Sequence, residues 1–311
     1  MDIVGKRGWL FLISGILLVP GIVFLIIAPG LRPGIDFTGG STVTIEFTDT
    51  VEQDDLRDKL AELEVDDATV QDFGGNTYFI RSKELSETEK NTLLENLKTS
   101  LSPGGAEVLA FDLVSPVVAA ETVVAAFWAV LAAAVGIFLY VWWAFRNVPS
   151  PFRYGFAAIV ALIHDAGAVI GIFAILGVVA DIEVNTMFLI ALLTVIGFSV
   201  NDTIVVFDRL RENIIAAPTR SLTANVNLSI SETIGRSLNT SLTLLFALLA
   251  LMLFGGPTLR SFLLVLLIGV VVGTYSSIAI ATQTLVVWEE GDIRKLLRRV
   301  RGQGESTVTT S

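Results

Sequence analysis

YGFAAIVALIHDAGAVIGIFAILGV, residues 154–178, runs for 25 residues with one aspartate, one histidine and no other charged side chain. About 20 apolar residues in a helix cover the roughly 30 Å hydrocarbon core of a bilayer. The stretch is therefore long enough to cross a membrane, and Asp165 lies near its middle. A charged side chain at that depth costs about 3 kcal/mol or more, so an acid placed there marks a functional site by default. It points to movement of protons, ions or a charged substrate.

The rest of the chain has the same character: 53% of residues are hydrophobic and 17% charged, with a mean hydropathy of +0.71. Apolar runs at about 8–29, 119–144, 154–178, 185–207, 237–254 and 258–287 read as six spans, the fifth beginning earlier, near Glu232. The formal charge of −10 is uneven: residues 31–117 hold 18 Asp/Glu against 7 Lys/Arg, a balance of −11, and the remainder sums to +1. One acidic soluble domain is inserted into a nearly neutral membrane protein. Only 6 of 21 basic residues are Lys, a composition that suits a halophilic source and equally a merely acidic domain. No cysteine is present, so disulfides and thiolate metal sites are excluded.

Lys and Arg in the short loops set the orientation. Lys6 and Arg7 precede span one, Arg146 and Arg153 follow span two, and Arg209, Arg211 and Arg220 follow span four. Arg294, Lys295, Arg298, Arg299 and Arg301 follow span six. Both termini are expected in the cytoplasm and residues 31–117 outside. The division is 1–30 (terminus and first span), 31–117 (outer domain) and 118–311 (five spans and a basic tail). Span one is too long for a signal peptide and lacks a small-x-small cleavage site, so it is expected to be retained.

The outer domain alternates between strand and helix. Strands are expected at 42–48, 68–73, 77–82 and 106–113, with a hairpin at Gly74-Gly75-Asn76. Thr50 with Gln53, and Ser86 with Glu89, have capping-box spacing for two helices. The order βαββαβ is the ferredoxin-like arrangement. The fold class is thus a polytopic α-helical membrane protein with six transmembrane helices plus an extracytoplasmic α+β ferredoxin-like domain.

Three segments carry ionisable groups at membrane depth. ALIHDAGAVIG (161–171) holds His164 and Asp165 among small residues. Asp165 reads as a proton-carrying acid or as a buried packing acid, and both stay open. VNDTIVVFDRLREN (200–213) places Asp202 about five residues inside the boundary, beside Asn201 and Thr203, while Asp208, Arg209, Arg211 and Glu212 read as a solvated helix end. SETIGRSLNTSLT (231–243) places Arg236 close to the depth of Asp202, with Thr240 and Thr243 one and two turns deeper. An opposite charge at matching depth would keep a buried Asp ionised, and snorkelling to the interface is the other reading of Arg236. With one His and no thiolate, no metal is expected. Gly197-Phe198-Ser199 lacks the second glycine of a nucleophile elbow. No cofactor is expected, and nothing suggests an enzyme or a nucleic-acid partner. Gly269 and Gly273 form a GxxxG packing face in span six.

These pieces together resemble the SecF family, the smaller membrane subunits of SecDF protein-export complexes in the resistance-nodulation-division superfamily. The resemblance rests on PGIDFTGGS (33–41), the His164-Asp165 pair, GFSVNDTIVVFDRLREN (197–213), SETIGRSLNTS (231–241), and LFGGPTLRSF (253–262) leading into GVVVGTYSSI (269–278), in family order. Phe198 departs from the usual Tyr. The resemblance implies a heteromeric partner, SecD, the SecYEG translocon, an unfolded exported polypeptide and surrounding membrane lipid. It also implies coupling to a proton or sodium gradient, with the family's key charges falling on Asp202 and Arg236 and with Asp165 in the same core. His164, Asn201 and Thr240 complete the expected ion path. A self-associating small-molecule or lipid exporter, or a non-transporting structural subunit, are the competing readings. Gly34, Gly39, Gly40 and Pro116 are expected to hinge the outer domain.

Overall fold

The computed structural model describes residues 2–27, 30–63, 65, 68–256 and 259–291. Pro29 and the basic tail from Arg294 to Arg301 lie outside the described residues. In chain order the elements are α1 (Arg7–Ile27), β1 (Arg32–Pro33), α2 (Ile35–Thr38), β2 (Gly40–Phe47), α3 (Gln53–Glu62), β3 (Thr69–Gly74), β4 (Thr77–Ser82), α4 (Glu87–Leu101) and β5 (Ala106–Val114). There follow α5 (Pro116–Ala144), α6 (Pro151–Val179), β6 (Glu183–Val184), α7 (Thr186–Ala216), α8 (Leu222–Phe254), α9 (Arg260–Ser276), a π-helical turn (Ser277–Ala281) and α10 (Thr282–Glu289). The last three run as one continuous span, so six helices are long and apolar enough to cross a membrane. The chain divides into two compact units: residues 1–30, 130–175 and 190–311, and residues 31–129 and 176–189.

In the first unit the helices outrun their apolar cores. α7 continues through the charged DRLREN stretch to Ala216, and α8 begins at Leu222 with Ser221 as its N-cap, earlier than Glu232. The polar end of α7 is supported by ion pairs at helical spacing, Arg209 with Glu212 at 2.6 Å and Arg211 with Asp208 at 3.7 Å, and Arg209 also reaches across to Glu232 of α8 at 2.7 Å. At the same end Phe145 stacks on Tyr154 at 5.3 Å, and Phe207 meets both edge-on. By contrast α1 and α5 expose Trp9, Ile26, Phe127 and Trp128, as expected of lipid-facing helices.

Gly21 of α1 and Gly171 of α6 meet backbone to backbone: a Cβ on Gly21 would sit 2.5 Å from the Gly171 Cα. We expect Gly21→Val to force the two helices apart at a cost of about 1–3 kcal/mol, read as a lower melting temperature in mild detergent. An unchanged melt would show that the contact is dispensable.

The second unit holds a four-stranded antiparallel sheet in the order β3-β4-β2-β5, the ferredoxin-like order. Its helix-covered face buries Val43, Ile45, Phe47, Leu56, Leu60, Tyr78, Ile80, Leu93 and Leu97. The hairpin turns on Gly75 and Asn76, both at positive φ (63° and 67°), as a type I′ turn requires. Ser86 and Glu89 form their capping box, and those bonds hold the Glu89 carboxyl below its ordinary range. The expected box at Thr50 and Gln53 does not form. Glu52 takes the N-cap position of α3 without a side-chain bond, and Gln53 instead donates to the Val70 carbonyl at 2.8 Å. That bond joins helix to strand, which an intrahelical cap could not do.

The glycine-rich segment after α1 belongs to this unit. β1 pairs in parallel with β6, and Gly34 N donates to the Val184 carbonyl at 2.7 Å. A Cβ on Gly34 would lie 3.1 Å from that oxygen, so this glycine serves a close backbone approach and is tied down. Gly39 and Gly40 do adopt positive φ (76° and 125°), with Gly39 packed on Pro116.

Candidate functional site

The polar interior of the membrane unit has two centres. At the first, Asp165 is fully buried on α6. Its Oδ2 accepts from Ser276 Oγ of α9 at 2.8 Å and also from Ser199 Oγ of α7. With its proton on Nδ1, His164 donates to Asp165 Oδ1 at 3.0 Å. Both carboxyl oxygens thus have partners, and three helices are held on one group. His164 Nε2 is buried without a partner, and its ring lies 6.3 Å from that of Tyr275. Tyr275 donates to the Leu10 carbonyl at 2.6 Å.

At the second centre Asp202 on α7 is 5% exposed, and its Oδ1 accepts from Ser237 Oγ of α8 at 2.9 Å. The Asp202 Oδ2 atom is buried and has no partner. Hydroxyls stitch the surrounding helices together: Thr203 Oγ1 donates to Ser277 Oγ at 3.0 Å, and Ser241 bonds Thr274 at 2.6 Å. The π-helical turn begins at Ser277, directly after the Asp165 ligand Ser276. Such turns often accompany functional sites in helices.

Among the expected site residues the structure joins His164 to Asp165, and Asp202 to the neighbour of Arg236. Arg236 is near enough to act on Asp202 electrostatically, yet among the described residues no ion pair joins them, and its side chain is exposed. Asn201 and Thr240 are exposed too, and Thr240 Oγ1 is spent on the Arg236 carbonyl at 3.0 Å. The depth match between α7 and α8 therefore holds to within one residue, while the side chain that meets Asp202 is Ser237.

A family described as "Protein export membrane protein SecD/SecF, C-terminal" matches residues 93–291, and the "SecD/SecF GG Motif" matches residues 24–51. A "Protein translocase subunit SecF" from Thermobaculum terrenum is 44% identical over 319 residues, covering 99% of this chain and 100% of the relative. The chain belongs to the SecF family. Another SecF, from Anaerolinea thermophila, is 40% identical over 96% of this chain and 97% of its own length. Among solved structures, the crystal structure of SecDF from Thermus thermophilus, titled a translocon-associated membrane protein, is similar with a TM-score of 0.83 and 33% identity. The match covers 93% of this chain and spans 39% of the longer SecDF chain. A SecDF structure in a super-membrane-facing form gives a TM-score of 0.63 at 32% identity.

Within this SecF-family frame, sequence reasoning missed Ser199, Ser237 and Ser276. The GxxxG face of Gly269 and Gly273 packs on the chain's own α7: a Cβ on Gly269 would run into Val195, and one on Gly273 would lie 2.8 Å from the Ser199 Cβ. Phe198 packs into an apolar cluster with Leu248, Leu263 and Val270.

Proposed function

We propose that the chain is an accessory membrane subunit of protein export, the SecF half of a unit completed by SecD and working at the SecYEG translocon on unfolded polypeptides. Asp202 is the group that takes up and releases the coupling ion, a proton. Both termini lie in the cytoplasm, and the small domain of residues 31–117 lies outside. The spanned 39% of the SecDF chain supports this reading, because the remaining length leaves room for a second half.

The observation that carries it is a polar line left open on the membrane helices. Asn201, Arg236, Asn239 and Thr240 are all exposed at the level of the Asp202–Ser237 contact. α8 has 33 residues, about 50 Å of helix, and outruns a roughly 30 Å bilayer core at its polar start, so Arg236 lies at the edge of the core, level with Asp202. An arginine facing lipid at such depth is costly, and a partner helix that offers an acid removes the cost. Asp202 Oδ2, bare and buried, is then the oxygen at which a proton can come and go.

Expressed without a SecD-like partner, the chain should melt several degrees lower in mild detergent and scatter light as mixed oligomers. Adding the partner should restore one sharp melt. A stable monomer whose melting temperature ignores the partner would overturn the heteromeric reading. Self-association into a uniform dimer would favour an independent exporter.

A further inference from the structure

The small domain is tied to the start of the helix that carries Asp202 by groups that the ion path does not use. Asp36, in the glycine-rich segment, accepts a hydrogen bond from the backbone N–H of Thr186, the first residue of α7, at 2.6 Å. The first N–H groups of a helix have no intrahelical partner, and a carboxylate there also meets the positive end of the helix dipole. α7 has a cap of its own, Asn185 Oδ1 accepting from Phe188 N at 3.0 Å. Asp36 is thus a second cap, delivered from 150 residues away.

Arg81 on β4 completes the tie. One guanidinium nitrogen donates to the Pro33 carbonyl and to Glu183 Oε1, both at 2.9 Å, and the other donates to Thr38 Oγ1 at 2.8 Å. A planar fork reaching three acceptors on two segments is a geometry that lysine cannot reproduce. Its two nitrogens bridge a sheet strand, the segment after α1 and the loop before α7. Gln71 of β3 adds a bond to the Ala180 carbonyl at 3.3 Å, Arg32 pairs with Asp181, and the β1–β6 ladder lies between. Burial raises the Glu183 carboxyl above its ordinary value, against the opposing pull of Arg81.

We propose that Asp36 and Arg81 are coupling residues: they make the small domain and the first turn of α7 one body, which stays closed throughout the transport cycle. α7 then runs unbroken from Thr186 to Ala216 with no proline. The 17 residues from Thr186 to Asp202 form a rod of about 24 Å. A change of protonation at Asp202 that shifts α7 would carry the domain with it, and load on the domain would be felt at Asp202. This rests on the ion-coupled export reading above, and it moves the bending points away from Gly34.

The chain's lack of cysteine makes the test direct. Arg81→Cys with Glu183→Cys breaks the tie, and a short bifunctional thiol reagent restores it covalently. In vesicles holding the full chain, the SecD-like partner and the translocon, the unlinked double variant should lose about tenfold in gradient-driven export, an ordinary coupling factor. Asp202-dependent proton uptake should persist. Cross-linking should return export to near the starting level. Loss of export and proton uptake together would mean that these residues only hold the fold, and a cross-linked protein that stays inactive would mean that the tie must open; either overturns the proposal. Asp36→Ala, which removes only the second cap, should uncouple in the same direction, and unchanged export there counts against it. Asp202→Asn runs beside them. If that variant exports normally, the ion-coupling reading falls, while rescue by the cross-link still reports on the tie.

Discussion

Asp202→Asn will reduce gradient-driven export to the level of vesicles that lack the chain, with protein amount and partner binding unchanged. The substitution is nearly isosteric, and the amide oxygen still accepts the 2.9 Å bond from Ser237, so the α7–α8 contact survives. What disappears is the titratable oxygen. Asp202 Oδ2 is buried and unpartnered, and an amide nitrogen at that place cannot take up a proton. A stability loss of about 1–3 kcal/mol is what a buried unpaired NH2 should add, too little to remove the protein from the membrane. Export, proton uptake and detergent melting measured on the same preparation decide the matter. Normal export with the asparagine in place would end the coupling role and leave a structural subunit.

The second large effect is on folding. Asp165→Ala leaves the Ser199 hydroxyl and the His164 N–H facing a cavity with no acceptor, and leaves the Ser276 hydroxyl only the Gly273 carbonyl at 3.2 Å. Hydrogen bonds between membrane helices contribute about 0.6–2 kcal/mol each, so the two from Ser199 and Ser276 should cost roughly 1–4 kcal/mol together, and the stranded His164 N–H adds to that. The expected result is a much lower melting temperature and a chain that accumulates poorly. Asp165→Asn keeps both positions polar and should keep the fold and most export, because this carboxylate has no bare oxygen to exchange a proton. If the asparagine variant folds but exports nothing, Asp165 belongs to the ion path with Asp202.

The spans were legible because a 20-residue apolar run has few other uses, and the ferredoxin-like order was legible because each strand alternates between turn residues. The helix ends were not: hydropathy stops where polar residues start, while ion pairs such as Arg209–Glu232 carry α7 and α8 further. Asp202 and Asp165 stood out because charge at membrane depth is costly. Their serine partners did not, since serine is cheap in a membrane helix and common there. The facing of Arg236 also escaped, because depth along two helices says nothing about rotation around them. One residue of rotation, about 100°, separates Ser237, which meets Asp202, from Arg236, which does not.

The glycine pair that joins α1 to α6 has a consequence for how the protein is made. Gly171 emerges 150 residues after Gly21, roughly 10–30 s later at ordinary rates of chain synthesis. Over that interval the first span has no helix to dock on. It carries no charge from Gly8 to Ile27, so it can wait alone in lipid until its neighbour is inserted.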